Sequence, residues 1–467
     1  MAETGNGAKN TGGSNEIDFS CVVHFRPNKN WSGEYGFDWF REKNDTPENN
    51  YDDIVGKYPT NQDPDHGGDP DSLTKDTNRL SQLHNEYGLA TIYPQGRRPA
   101  SSMGSNYSKA RGEEGFSPNM YTQQYHIPYI TLYYESIKPW ESNRDKKFLP
   151  KEMLRSRGNI QPFCKTKAKI TAQVYTRNIE KIVFKCNECI SVSPKEIRIG
   201  GYNGEDYHEI TVTLKYDFNE EHTSIKAYAF HESGRITFAG QLNVLRCEPK
   251  RVNIHFISVR YRLNGSGTVI NGLTTSSQTK EINNLRKYLS QANIIPIITN
   301  ESFQLDDDNT DHTKFIRSFW HRQKQAFMVE AISYPVNLNI SHELSRLYLA
   351  TLKGDKRADY YKSYNFFFLG QKAVDNFLGL ASGIPSNAAV IFDHSDNITL
   401  IHELLHCFGL YHSFSNLSKH TFKKLETTNI MDYSDDGYTL WRWQWERMSK
   451  SAYVNLIDLK DGNLRQF

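Results

Sequence analysis

Cysteine is scarce in this chain. Cys21, Cys164, Cys186, Cys189, Cys247 and Cys407 are spread over 467 residues, a density that excludes a disulfide-stapled scaffold and fits synthesis in a reducing place. Long apolar runs are missing as well. Stretches such as Phe366 to Leu369 fall far short of the roughly 18 residues that a membrane-spanning helix needs, so no span is expected. Charge of neither sign prevails: 56 Lys plus Arg stand against 54 Asp plus Glu, a net of +2. No whole-molecule field therefore recruits nucleic acid or anionic lipid, and partners must be recognised locally. Met1 to Asn15 is mostly Gly, Asn, Thr and Ser without an apolar stretch, so no secretory signal peptide is expected. The chain is expected to be made in the cytoplasm and either to stay there or to leave by a signal-independent route.

Aromatic residues are plentiful, with 27 Tyr and 25 Phe, which suits thin β layers that bury large amphipathic rings. The length suggests about three domains at roughly 150 residues each. Residues 1–16 read as a disordered tail. Residues 17–165 read as a β-rich N-terminal domain, with strands at Ile17 to Phe25 and Tyr129 to Tyr134 separated by a long polar stretch from Glu42 to Tyr121. Six short alternating segments between Ile170 and Leu245, with turn signals near every tenth residue, predict an immunoglobulin-like β-sandwich over residues 166–248. From 249 to 467 strands alternate with helices: Val252 to Tyr261, Ile294 to Ile298, Tyr364 to Leu369 and Asn387 to Phe392 as strands, Lys280 to Ser290 and Ser341 to Leu352 as helices. The last domain is thus expected to be α/β or α+β.

The most informative residues lie there. Residues 402–412 read HELLHCFGLYH, and the five fixed positions of H-E-x-x-H-x-x-G-x-x-H arise by chance in such a chain with a probability on the order of 10⁻⁴. On an α-helix His402 and His406 are i and i+4, so both imidazoles leave one face and can ligate one metal ion. Leu400, Ile401, Leu404, Leu405 and Phe408 supply apolar faces for a buried helix, with Asn397 and Thr399 as capping candidates. Gly409 stands where the chain must turn sharply to return His412 to the metal. Three neutral imidazoles leave a fourth zinc position for water, the pattern of a catalytic rather than a structural site. Glu403 is long enough to reach that water and is the candidate general base: it takes the proton as the water attacks a carbonyl and passes it to the leaving amine.

Residues 427–434 read TTNIMDYS. Together with the histidine motif they resemble the metzincin clan of zinc peptidases, whose long zinc motif is followed by a turn bearing a methionine. GLYHSF followed by NIMDYSDD is most similar to pappalysin-type sequences, and Ser413 after the third histidine is a matrixin habit. The resemblance implies a metzincin-like catalytic domain with one Zn²⁺ held by His402, His406 and His412. It implies Met431 as an apolar floor beneath the imidazoles and Tyr433 as a donor to the transition-state oxyanion. It also implies a protein or peptide substrate and an endopeptidase activity. Residues 22–42, VVHFRPNKNWSGEYGFDWFRE, resemble N-terminal segments of Bacteroidetes proteins encoded near type VI secretion machinery. That resemblance implies a secretion-machinery partner and an exported toxin or effector; the plainer reading makes Trp31, Phe37, Trp39 and Phe40 core.

Other residues carry plainer expectations. Cys186 and Cys189 form a lone C-x-x-C without the second pair of a zinc ribbon, so they read as two thiols near a turn. Cys407 reads as an inert buried thiol, His394 as a surface histidine, and Trp441, Trp443 and Trp445 as packing of a C-terminal helix. Cys247 is a candidate switch in the linker ahead of the last domain. Asn387 to Phe392 is a candidate sheet edge for an extended substrate. Two further function classes stay open: a non-catalytic zinc-binding adhesin or scaffold, and a zinc amidase acting on small substrates.

Overall fold

The computed structural model describes residues 21–41, 49–92, 111–112, 115–116, 123–132, 167–176, 179–199, 204–216, 218, 220–231, 234–246, 250–263, 269–331, 339–393, 395–396, 398–434 and 437–456. The expectations for the 1–16 tail, Cys164, Cys247, His394 and Asn397 lie outside these residues.

Period-two burial builds the first half of the fold. In His222–His231 and Ile179–Lys185 alternate side chains are buried, as expected for strands with one face on a core. Cys21–Pro27, Lys167–Thr176, Gly204–Leu214 and Ile190–Ser193 form a four-stranded sheet. Glu196–Arg198, Ile179–Lys185, His222–His231, Ile236–Arg246, Tyr129–Leu132 and Phe37–Asp38 form a six-stranded one. The two sheets share one apolar core, in which Val23, Phe25, Ile170, Val174, Ile182, Ile225 and Leu242 are buried. They approach closely at Gly240, where a Cβ would lie 2.3 Å from the Val23 carbonyl oxygen.

A third, seven-stranded sheet organises the second half around Lys250–Arg262. This long strand pairs in parallel with Ile294–Gln304 on one side and Tyr364–Phe368 on the other. Tyr364–Phe368 pairs in parallel with Ala388–Ile391, and the antiparallel strand Gly379–Ala381 closes that side. The central strands are buried on both faces, as parallel strands flanked by other layers must be. Among the described residues the α-helices are α1 (Tyr51–Ile54), α2 (Thr77–Tyr87), α3 (Thr275–Leu289), α4 (Thr310–Phe319), α5 (Ile340–Thr351), α6 (Asp355–Tyr360), α7 (Thr399–Cys407) and α8 (Arg442–Ser449). Leu285 and Leu289 of α3 and Leu400, Leu404 and Leu405 of α7 share a core with Val252, Ile254 and Phe256 of the sheet. Phe315 of α4 and Leu344 and Leu347 of α5 join Val259, Phe367 and Val390 in another core cluster. Among the described residues no helix is long and apolar enough to cross a membrane.

The N-terminal residues do not form a separate core among the described residues, so the expected unit over 17–165 divides differently. Trp31, Tyr35, Phe37, Trp39, Ile130 and Leu132 belong to the two-sheet core. Phe40, Tyr51, Ile54, Leu83 and Tyr87 belong instead to the core that contains α7. The cause is pairing and packing at long range: Cys21–Pro27 is hydrogen-bonded to Lys167–Thr176, while Val55 bridges Phe422. The polar stretch from 49 to 87, expected as loop, carries α1 and α2. Asp76 caps α2 by accepting from the N–H groups of Asn78 and Arg79.

Candidate metal centre

Helix α7 is buried along its whole length, which immobilises the side chains it presents. Its N-terminus is held by Asp396, whose Oδ1 accepts from the N–H groups of Ile398 (3.0 Å) and Thr399 (2.7 Å) and from the Thr399 hydroxyl (2.6 Å). The capping oxygen thus comes from Asp396 and not from Thr399, because the Thr399 hydroxyl donates. At the other end Gly409 has φ of +89°. The N–H of Gly409 reaches the His406 carbonyl at 2.9 Å and that of Leu410 reaches the Leu405 carbonyl at 3.0 Å, so a left-handed residue ends the helix and reverses the chain. A Cβ there would also lie 2.6 Å from Arg447 Nη2.

That reversal brings His412 back over α7. Its Nε2 is 3.1 Å from Nε2 of His402 and 3.1 Å from Nε2 of His406. The opposite ring nitrogens are all committed: Nδ1 of His402 faces the Ile430 carbonyl at 2.8 Å, Nδ1 of His406 faces the Leu410 carbonyl at 2.9 Å, and Nδ1 of His412 contacts Asp65 Oδ1. A carbonyl or carboxylate oxygen only accepts, so each Nδ1 carries a proton and Nε2 is the nitrogen left to ligate a metal. Burial, reinforced by the neighbouring imidazoles, pushes His402 down to about 4 and His406 well below the usual histidine range. Both rings are therefore neutral at neutral pH, the form that ligates metals. Three Nε2 atoms thus converge in a buried place, where their lone pairs could hold a cation between them. His402, His406 and His412 can hold a metal ion, their ligand atoms lying within 4.8 Å of one another. Tetrahedral zinc at about 2.05 Å from each nitrogen sets neighbouring nitrogens roughly 3.3 Å apart. All-imidazole donors also suit copper, iron and nickel.

Glu403 follows His402 on the same buried helix. Its Oε2 accepts the Ala381 N–H at 2.7 Å, and a Cβ on Gly379 would lie 2.7 Å from its Cγ. Burial pushes its carboxyl up to about 8, against the lowering effect of the Ala381 N–H. The strand beside it, Gly379–Ala381, pairs with Ala388–Ile391 and ends the sheet. Ala388–Ile391, the expected edge, instead has a strand on each side. Three residues with glycine at one end and intermediate burial offer no alternation for a sequence reading to find.

Met431 is fully buried in the core that holds α7. Its N–H donates to Asn429 Oδ1 at 3.0 Å and its carbonyl accepts the Ser413 N–H at 2.8 Å. Asp432 secures the same turn by accepting from the N–H groups of Leu425, Thr427 and Tyr433 and from the Thr427 hydroxyl. The Tyr433 ring is half-exposed, with its centroid 4.7 Å from that of His412 and 5.8 Å from that of His402. Trp441, Trp443 and Trp445 are buried in the core around α7, Trp441 packing on Phe422 at 4.4 Å. The Cys407 thiol is buried, pushed up to about 12 by that burial, and faces Ser386 Oγ at 3.3 Å. Cys186 and Cys189 are free thiols beside the turn ahead of Ile190–Ser193.

Asp65 is the site residue that the sequence does not reveal. It lies in a 3₁₀ turn, Pro64–His66, within the polar loop 61–71. Burial works against its charge, but hydrogen bonds from His412 and Ser415 prevail and hold its carboxyl below the ordinary range.

No protein-family profile and no curated protein matches the chain. Among solved structures, a FixG-related protein from Vibrio parahaemolyticus aligns at 12% identity over 17% of this chain and 78% of its own, with a TM-score of 0.15. A purple acid phosphatase from yellow lupin (Lupinus luteus) seeds aligns at 11% identity over 46% of this chain and 50% of its own, with a TM-score of 0.11. Scores this low bear on neither fold nor function, and the chemistry must be argued from the site.

Proposed function

We propose that this chain is a zinc-dependent endopeptidase of the metzincin type, with His402, His406 and His412 as ligands and Glu403 as general base. One observation carries the reading: three Nε2 lone pairs converge beside a buried glutamate that is itself fixed against the last strand of a sheet. A structural metal site has no use for that glutamate. Zinc, when bound, supplies Lewis acidity that polarises a carbonyl and lowers the pKa of water. The residues of the chain do the rest. Glu403, its second oxygen held by the Ala381 N–H, acts in its ionised form, which a cation beside it would favour over the neutral form that burial alone favours; it takes a proton from the attacking water and delivers it to the leaving amine. The outer side of Gly379–Ala381, apart from the Ala381 N–H that Glu403 takes, carries the backbone groups with which an extended peptide would pair, which favours a polypeptide over a small amide. Tyr433, half-exposed beside His402 and His412, donates its hydroxyl to the oxyanion. Delivery as an effector rests on the 22–42 resemblance, although Trp31, Phe37, Trp39 and Phe40 are all buried and thus serve as core.

Glu403→Gln is the test. Cleavage of a denatured protein should disappear while zinc content stays at about one ion per chain. Full activity in this variant ends the mechanism. Zinc binding without any hydrolysis by the parent protein would favour the scaffold reading, and hydrolysis of small amides alone would favour the amidase.

A further inference from the structure

His402 and His406 are each oriented by a backbone carbonyl of the catalytic segment itself, those of Ile430 and Leu410. His412 differs. It lies beyond the end of α7, outside any helix or strand, and its Nδ1 meets a carboxylate contributed from 347 residues earlier in the chain.

The loop that delivers this carboxylate is itself fastened. Asp63 Oδ1 accepts the Asp65 N–H at 3.0 Å and Asp63 Oδ2 accepts the Asn416 N–H at 3.1 Å. The Tyr58 N–H donates to Asn416 Oδ1 at 3.0 Å, and Asn416 Nδ2 donates to the Tyr58 carbonyl at 2.8 Å. Pro64 opens the 3₁₀ turn and Gly67, with φ of +83°, closes it. Asn416 is only four positions beyond His412, so the loop is fastened to the same segment that carries the third imidazole. Phe414 stacks on the other face of the His412 ring at 4.9 Å and 7°, which fixes the ring plane but not its rotation within that plane.

We infer that Asp65 is the positioning residue for the third ligand: its carboxylate holds the Nδ1 proton of His412, aims Nε2 at the metal and raises the donor strength of that imidazole. A carboxylate behind a ligating histidine is worth roughly 10- to 100-fold in metal affinity. The inference rests on the three-histidine metal site, not on peptidase activity. Its contact is with Nδ1 and not with the converging Nε2 atoms, so Asp65 acts through His412.

The test is a zinc affinity measurement on the full chain by competition with a chromophoric chelator. Asp65→Ala should weaken binding about 10- to 100-fold, and Asp65→Asn, which keeps shape and an acceptor but not the charge, should lose less. Metal-free melting and far-ultraviolet circular dichroism of Asp65→Asn should match the parent. In a His412→Ala background, Asp65→Ala should produce no further loss, because the carboxylate then has no imidazole to orient. Affinity within twofold of the parent in both Asp65 variants overturns the inference, as does a further loss of the same size in the His412→Ala background. Weakened zinc binding in Asp65→Ala together with no polypeptide cleavage by the zinc-loaded parent protein would sink the peptidase reading while leaving this inference standing.

Discussion

The carbonyl of Ile430 accepts a hydrogen bond from Nδ1 of His402 at 2.8 Å, which ties the turn bearing Met431 directly to the first of the three imidazoles. Packing under the site and orientation of a ligand are therefore one structural problem. The Met431 side chain is fully buried, so truncation leaves a void that its neighbours cannot fill. Met431→Ala should cost about 2–5 kcal/mol in urea unfolding, whereas Met431→Leu, which nearly conserves volume, should cost less than about 1.5 kcal/mol. Zinc affinity should fall in the first variant and hold in the second. Equal zinc affinity in both would separate the turn from the ligand.

Gly379 lies against Glu403, the proposed general base. A Cβ at this position meets Glu403 Cγ at 2.7 Å and Oε1 at 3.0 Å, so Gly379→Ala must displace the carboxylate or the strand. Turnover should fall toward the roughly 10²–10⁴-fold range of a lost general base. Zinc content should be unchanged, since no ligand is touched. A variant with parental turnover would remove Glu403 from the chemistry.

Metal and fold should be linked. A ligand at one hundred times its Kd adds about 2.7 kcal/mol to stability, and three converging imidazoles favour the folded chain only when a cation relieves them. Chelation should lower the melting midpoint and zinc should restore it. In His402→Ala the midpoint should not respond to either treatment; a full response there would place the ion elsewhere.

Acid stability has a local contributor at Glu86. Burial opposes its charge, but hydrogen bonds from His420 and Lys419 hold its carboxyl down from 4.5 to about 2. The folded value lies below the unfolded one, so the stabilisation is complete above pH 4.5 and is lost as pH falls toward 2. Glu86→Gln should cost ~1.5–3 kcal/mol at neutral pH and flatten the pH dependence between those two values. Denaturation curves at stepped pH would show it; an unchanged acid limb would refute the assignment.

Local signals in the sequence reached only part of this arrangement. The spacing of His402, His406, Gly409 and His412 is set by one helix and one turn, so short-range geometry alone brings the imidazoles together. Strands with clear alternation, such as Lys167–Thr176 and His222–His231, lie where period two places them. Helix α2 was hidden because only Leu83 and Tyr87 of its eleven residues are buried, which reads as a polar loop. Asp65 was hidden more deeply, since nothing in DPDHGG distinguishes a carboxylate that meets His412 from one facing solvent. The apportioning of residues 21–132 between two cores depends on pairings across more than a hundred positions, and periodicity carries no trace of a partner's address.

The loop that carries Asp65 also has a bearing on when the site comes into being. Translation delivers this carboxylate 347 residues ahead of the third histidine. Contacts of such separation form late in folding, because the closure entropy of the intervening chain must first be overcome. The three-histidine cluster with its carboxylate is therefore assembled only after both segments have been made and the chain between them has folded.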